Sequence, residues 1–88
     1  MGKLTMFVQA GCPYCKRALA YWEELKQEAK YQAIEIELID ELREADLAAT
    51  YDYYYVPTIF FKGKKLHEGA LERAGLKVVL DVVIEDDE

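Results

Sequence analysis

Apolar and polar positions change period several times along the chain, and each period predicts an element. Leu4-Thr5-Met6-Phe7-Val8 is a short, nearly continuous apolar run, the pattern of a strand covered on both faces. Ala18, Trp22, Leu25 and Ala29 then recur at spacings of four, three and four, which places them on one buried helical stripe with Glu23, Glu24, Lys26 and Glu28 facing away. Pro13 suits the first position of that helix, because its missing N–H would have no intrahelical partner. Ile34-Glu35-Ile36-Glu37-Leu38 alternates, so it predicts a strand near an edge, one face buried and one wet. Asp40 is placed to cap a second helix that carries Leu42, Ala45, Ala48 and Ala49 to about Asp52, with Tyr53-Tyr54-Tyr55 as its exit. Thr58-Ile59-Phe60-Phe61 and Lys65-Leu66-His67 flank Lys62-Gly63-Lys64 and predict a hairpin. After Gly69, the positions Leu76, Val79, Leu80, Val83 and Ile84 predict a closing amphipathic helix, although Gly75 weakens its first turns by about 1 kcal/mol relative to Ala.

The order β-α-β-α-β-β-α occupies residues 1–84 as one domain, and 85–88 form an acidic tail expected to repel itself and fray. A right-handed crossover through the first helix makes the first two strands parallel, and the hairpin adds an antiparallel half. The expected fold is therefore α/β: a four-stranded mixed sheet with three helices on its two faces. A site is expected at the carboxyl end of the first strand.

Composition narrows the function classes. A chain of 88 residues with 52% hydrophobic positions buries one core without staples, which leaves its two cysteines free for chemistry. Its net charge of −6 argues against nucleic acid, since phosphate binding rests on basic side chains. The apolar run at Leu4–Val8 is far shorter than the roughly 20 residues of a membrane span, so no membrane association and a cytoplasmic location are expected. A close cysteine pair in a reducing compartment points to redox exchange or metal binding. A zinc site in a single chain would lack ligands, since His67 is the one histidine and reads as a half-exposed strand residue. A dimer pooling four cysteines around a metal or iron–sulfur cluster stays open as an alternative, while a monomer is the expectation.

Cys12-Pro13-Tyr14-Cys15 puts one cysteine where a loop enters a helix and the other one turn inside. Unpaired backbone N–H groups and the positive end of the helix dipole favour an anion at Cys12. Lys16 and Arg17 add positive charge one turn on, so the Cys12 pKa is expected to move down. Cys15 should show less sulfur to solvent. The pair divides into an exposed attacker and a shielded resolver, and their spacing lets the sulfurs close on one another without moving the backbone.

These residues resemble the thioredoxin superfamily and, within it, the glutaredoxins most closely, over nearly the whole chain. Cys12-Pro13-Tyr14-Cys15 is similar to the dithiol glutaredoxin motif. Thioredoxins carry Gly-Pro between the cysteines, usually a Trp where Gly11 stands, and a buried acid where Met6 stands. Val56-Pro57 resembles the family's proline loop, which implies a cis bond and a Val56 backbone able to pair with an extended thiol-bearing peptide. The resemblance implies a thioredoxin-like, glutaredoxin-type fold and a thiol–disulfide oxidoreductase that acts on protein disulfides or glutathione mixed disulfides. It implies no bound cofactor, glutathione as co-substrate, and glutathione or a flavoenzyme of the thioredoxin-reductase type as reductant.

The glutathione positions are altered. Gln9 holds the place of a lysine that binds the glycyl carboxylate of glutathione, and losing that cation removes a hydrogen bond of about 1.5–3 kcal/mol, roughly one to two decades of affinity. Tyr55 replaces a Thr before Val56-Pro57. Gly69-Ala70-Leu71-Glu72 stands where the family has Gly-Gly and then, after one residue, Asp, with Glu72 placed to meet the γ-glutamyl amine. Ala48, Tyr51 and Tyr53 through Val56-Pro57-Thr58, followed by Phe60-Phe61-Lys62-Gly63, resemble thioredoxin instead. A glutathione-independent protein-disulfide reductase is therefore the rival reading. Tyr14, Tyr54 and Tyr55 could also form an aromatic rim around Cys12 that receives an apolar or peptide substrate.

Overall fold

The computed structural model describes residues 3–86. The elements are β1 (Lys3–Val8), α1 (Pro13–Leu25), a 3₁₀ turn (Ala29–Tyr31), β2 (Glu35–Asp40), α2 (Ala45–Ala48), β3 (Thr58–Phe61), β4 (Lys64–Glu68) and α3 (Arg73–Asp86). The strands form one sheet in the order β2-β1-β3-β4, with β1 parallel to β2 and the other neighbours antiparallel. This is the mixed sheet and element order that the periodicities predict, with β2 at an edge.

Each face of the sheet has its own core. Leu4 and Met6 of β1 and Ile59 and Phe61 of β3 point to one face, where Ala18 and Leu25 of α1 and Leu76, Leu80 and Val83 of α3 bury them. The alternate positions Phe7, Phe60 and Ile39 form a second cluster on the opposite face. A tyrosine loop covers that cluster. Tyr51 and Tyr53 lie 4.7 and 4.9 Å from Phe7, and Tyr51 lies 4.8 Å from Phe60, the spacing of favourable ring pairs.

Several local expectations give way to this packing. α1 ends at Leu25, and Ala29 is exposed in the 3₁₀ turn instead of continuing the stripe. The hydrogen bonds from Gln27 to Glu24 and from Glu28 to Leu25 tighten the chain there, and the turn delivers Tyr31 into the core. Its hydroxyl donates to Asp81 of α3 at 2.7 Å. In β2, Leu38 is 49% exposed while Ile39 is buried, because the edge strand outruns the helical cover and the aromatic cluster covers its other face.

The second helix is one turn, not a helix to Asp52. Asp40 accepts the Leu42 N–H at 2.9 Å and forms a turn of its own, so it does not cap α2. Leu42 is exposed, Ala48 alone of the expected stripe packs on the second cluster, and the tyrosine rings supply the larger area to cover it. The hairpin turns on two residues, Lys62 and Gly63, both at positive φ, and Lys64 belongs to β4. Leu66 is the extra residue of a bulge, since Ile59 pairs with His67 and Phe60 with Lys65. α3 continues through Glu85 and Asp86, and Asp86 pairs with Lys62 at 2.8 Å. Asp87 and Glu88 of the expected tail lie outside the described residues.

Candidate active site

The sheet register gathers four chain segments at one end. Val8, the last residue of β1, pairs with Asp40, and the next β2-side residue, Glu41, donates its N–H to the Val8 carbonyl at 2.9 Å. On the other side Phe7 pairs with Thr58, which brings the Val56-Pro57 step beside the exit of β1. That peptide bond is cis. Thr58 in turn pairs with Glu68, and the Gly69 N–H donates to the Pro57 carbonyl at 2.9 Å. The loop Gln9–Cys12 therefore leaves the sheet between Glu41 and Pro57.

This loop is short because it closes on itself. The Cys12 N–H donates to the Gln9 carbonyl at 3.1 Å, and Gly11 supplies the positive φ of 84° that the turn requires. Cys12 is the N-cap of α1, with Pro13 at the first helical position, and its Sγ accepts the Cys15 N–H at 3.2 Å. Burial opposes ionisation of Cys12, but hydrogen bonds from the Cys15 thiol and from the Cys15 and Tyr14 backbone outweigh it, and the pKa falls below its ordinary value of 9.0. Cys15 is 2% exposed, and burial, followed by its bond to Cys12, pushes its thiol up to about 12. Ionisation is thus made easier at one sulfur and harder at the other.

The leading stabilisation of the thiolate comes from these hydrogen bonds, and neither Lys16 nor Arg17, the two cations expected to favour it, is among the largest causes. Both are exposed on α1, and the Arg17 guanidinium lies 5.8 Å from the Tyr14 ring centre. Tyr14 and Tyr55 are exposed and Val56 is half-buried, packed on the Phe7 cluster. Tyr55 is anchored through its backbone, for its carbonyl accepts from the Thr58 hydroxyl and its N–H donates to Glu68 at 3.0 Å. Gly69 takes a positive φ of 93° close to Tyr55. The Ala70 carbonyl is 2.9 Å from His67 Nε2, so His67 ties down the chain after β4. Glu72 is exposed just before α3, and its carbonyl accepts the Leu76 N–H.

Two carboxylates at this end escaped the sequence reading. Glu41 accepts from the Tyr53 hydroxyl at 2.8 Å, and its negative charge opposes ionisation of both cysteines. Burial first, and then that bond, raises the Tyr53 pKa, so its hydroxyl stays a donor. Glu68 binds the Tyr54 and Tyr55 N–H groups and Lys65 Nζ, which draws its carboxyl down to about 2, with Lys65 the leading cause. Their signal in the sequence was position alone, each standing at or just past the end of a strand. Among the described residues, no group of three or more His, Cys, Asp or Glu converges to hold a metal ion, and no helix is long and apolar enough to cross a membrane.

The model of the family described as Glutaredoxin matches residues 4–66. No curated protein matches the chain. Among solved structures, thioredoxin O1 of Arabidopsis thaliana in its oxidised state is similar, with a TM-score of 0.75 at 19% identity, covering 96% of this chain and 78% of that one. A single-site mutant of thioredoxin from Halobacterium salinarum gives a TM-score of 0.72 at 23% identity, covering 94% and 74%. A structure described only as a malarial protein gives 0.75 at 15% identity, covering 94% and 97%. At such identities the likeness shows the fold.

Proposed function

The chain belongs to the glutaredoxin family and has a thioredoxin-like fold, and from that footing we propose that it is a dithiol–disulfide oxidoreductase acting through Cys12 and Cys15 on protein disulfides or glutathione mixed disulfides. The observation that carries this reading is the division of labour in the pair. Cys12 sits at a helix start with its sulfur accepting a backbone N–H, and Cys15 is buried one turn inside. In the reaction the Cys12 thiolate attacks one sulfur of the substrate disulfide, the Cys12–substrate S–S bond forms, and the other substrate sulfur leaves as a thiolate that takes a proton from solvent. Cys15 loses its proton and attacks the Cys12 sulfur. The second substrate thiolate leaves, the Cys12–Cys15 disulfide forms, and two electrons have passed to the substrate. An external thiol, two glutathione molecules or a flavoenzyme dithiol, restores the pair.

In this reading Tyr14, Tyr55, Val56 and Pro57 border the substrate groove, and Gln9, Gly69, Ala70 and Glu72 are the positions left to a glutathione molecule. The protein acts in a reducing compartment such as the cytoplasm, as a monomer with disulfide-bearing proteins as partners. A glutathione-independent cycle is favoured by one feature, the uncharged Gln9 at the position where the glutaredoxin pattern carries the lysine that binds the glycyl carboxylate. The test is to oxidise the protein and compare its reduction by glutathione with that by thioredoxin reductase. Cys12→Ser should abolish exchange, and Cys15→Ser should accumulate a mixed disulfide visible by mass spectrometry. Dithiol turnover retained by the Cys12 variant would sink the proposal.

A further inference from the structure

Beside the β1 exit, on the face away from α1 and α3, lies a cleft of about 420 Å³ lined chiefly by Glu41, Asp52, Ala48, Tyr51, Tyr53 and Tyr54. Its walls are built, not incidental. Tyr51 and Tyr53 are set by their packing on Phe7 and Phe60, and the Tyr53 hydroxyl holds the Glu41 carboxylate at 2.8 Å. Tyr54 is 85% exposed, and its backbone is pinned by Glu68. We propose that this cleft receives a cationic side chain, an arginine or lysine of the substrate protein flanking the disulfide that Cys12 attacks. The inference rests on the exchange activity proposed above and names the substrate class for it.

Location, charge and ring chemistry agree on that occupant. The Glu41 N–H donates to Val8, the last residue of β1, from which the loop to Cys12 departs, and the Glu41 charge acts on both cysteines, so it is the Glu41 end of the cleft that lies towards the pair. Carboxylates beside tyrosine rings are the surroundings that hold a guanidinium or ammonium, through ion pairing and attraction to the ring faces. The neighbouring charges do not reverse the sign. Lys65 donates to the backbone carbonyl of Asp52 at 3.2 Å and is ion-paired with Glu68 at 2.7 Å, so the charged side chains among the lining residues are the carboxylates Glu41 and Asp52. Lys16 and Arg17 are exposed on α1, with the Arg17 guanidinium 5.8 Å from the Tyr14 ring centre, and neither is among the residues that line the cleft. A substrate with a cation on the Glu41 side is drawn in, and one with a carboxylate there is repelled.

Two peptides with the same internal disulfide, differing only by Arg or Glu next to the attacked cysteine, test this by their kcat/KM for reduction. The arginine peptide should react at least about fivefold faster at low ionic strength, and the advantage should shrink in salt, as expected of exposed charges. In Glu41→Gln, which keeps an acceptor for Tyr53, and in Glu41→Gln with Asp52→Asn, the preference should fall below about twofold. Equal rates for the two peptides with the unaltered protein, or a preference that survives in the double variant, would overturn the cleft assignment while leaving the exchange activity standing. If neither peptide is reduced, the exchange activity fails and the cleft assignment with it.

Discussion

Alkylation of the reduced protein by iodoacetamide separates the two cysteines most directly. Cys15 stands at about 12 and Cys12 lies below 9.0, so at pH 7 the Cys12 thiolate population exceeds that of Cys15 by at least about three decades. The more basic sulfur is intrinsically the better nucleophile, with a Brønsted coefficient of about 0.4–0.5, which returns about 1.2–1.5 decades to Cys15. The net expectation is that Cys12 reacts at least about 30-fold faster, and the burial of Cys15 at 2% exposure widens the gap. The assay is time-resolved labelling at pH 7, with digestion and mass spectrometry to assign each adduct. Cys15→Ala should slow labelling of Cys12, because it removes the thiol hydrogen bond that favours the thiolate. Labelling of Cys15 within about threefold of Cys12 would refute the division into attacker and resolver.

Other perturbations probe what surrounds the pair. Tyr31→Phe keeps the buried ring but deletes the bond to Asp81, whose side chain is 41% exposed, so about 1 kcal/mol is expected, lowering Tm by about 4–8 °C; an unchanged melting curve would contradict it. Glu68 is held at about 2, below its ordinary 4.5, so its contribution to stability is fully present above about 4.5 and is lost as pH falls towards 2. Glu68→Gln should therefore flatten that acid limb in denaturant titrations at different pH, and an unaltered limb would show that the carboxylate does not clasp the tyrosine loop. Tyr55→Thr should change protein-disulfide and glutathione activities in opposite directions if the tyrosines form a rim at Cys12; equal loss of both would remove Tyr55 from substrate choice.

What could be read from the chain and what could not divides by distance along it. The start of α1 at Pro13, the N-cap position of Cys12 and the burial of Cys15 are consequences of residues within one helical turn, where period and capping chemistry are local. The parallel pairing of β1 with β2 and the antiparallel hairpin of β3 and β4 followed from the right-handed crossover and the turn for the same reason, since each joins neighbouring segments, whereas the antiparallel pairing of β1 with β3 joins distant ones. The misread elements are those whose shape a distant partner decides. α1 stops at Leu25 where no glycine or proline forbids a helix, because Tyr31 is wanted in the core and by Asp81, 50 residues away. The alanine-rich stretch after Asp40 has the propensity for a longer helix, yet the aromatic loop covers Phe7 better than alanines would.

The same division runs through the active site. By itself the sequence marked Cys12 and Cys15 as the pair of the proposed exchange, for they are separated by a single turn in which the Cys15 N–H bonds the Cys12 sulfur. Only the tertiary structure decided what those atoms face. Glu41 meets Tyr53 across 12 positions and Glu68 meets Tyr54 across 14, and no local period announces either contact. The sheet brings them to the exit of β1 because strand pairing sets the register of whole segments at once, and a charge placed beside Cys12 by that register is invisible until the strands are aligned.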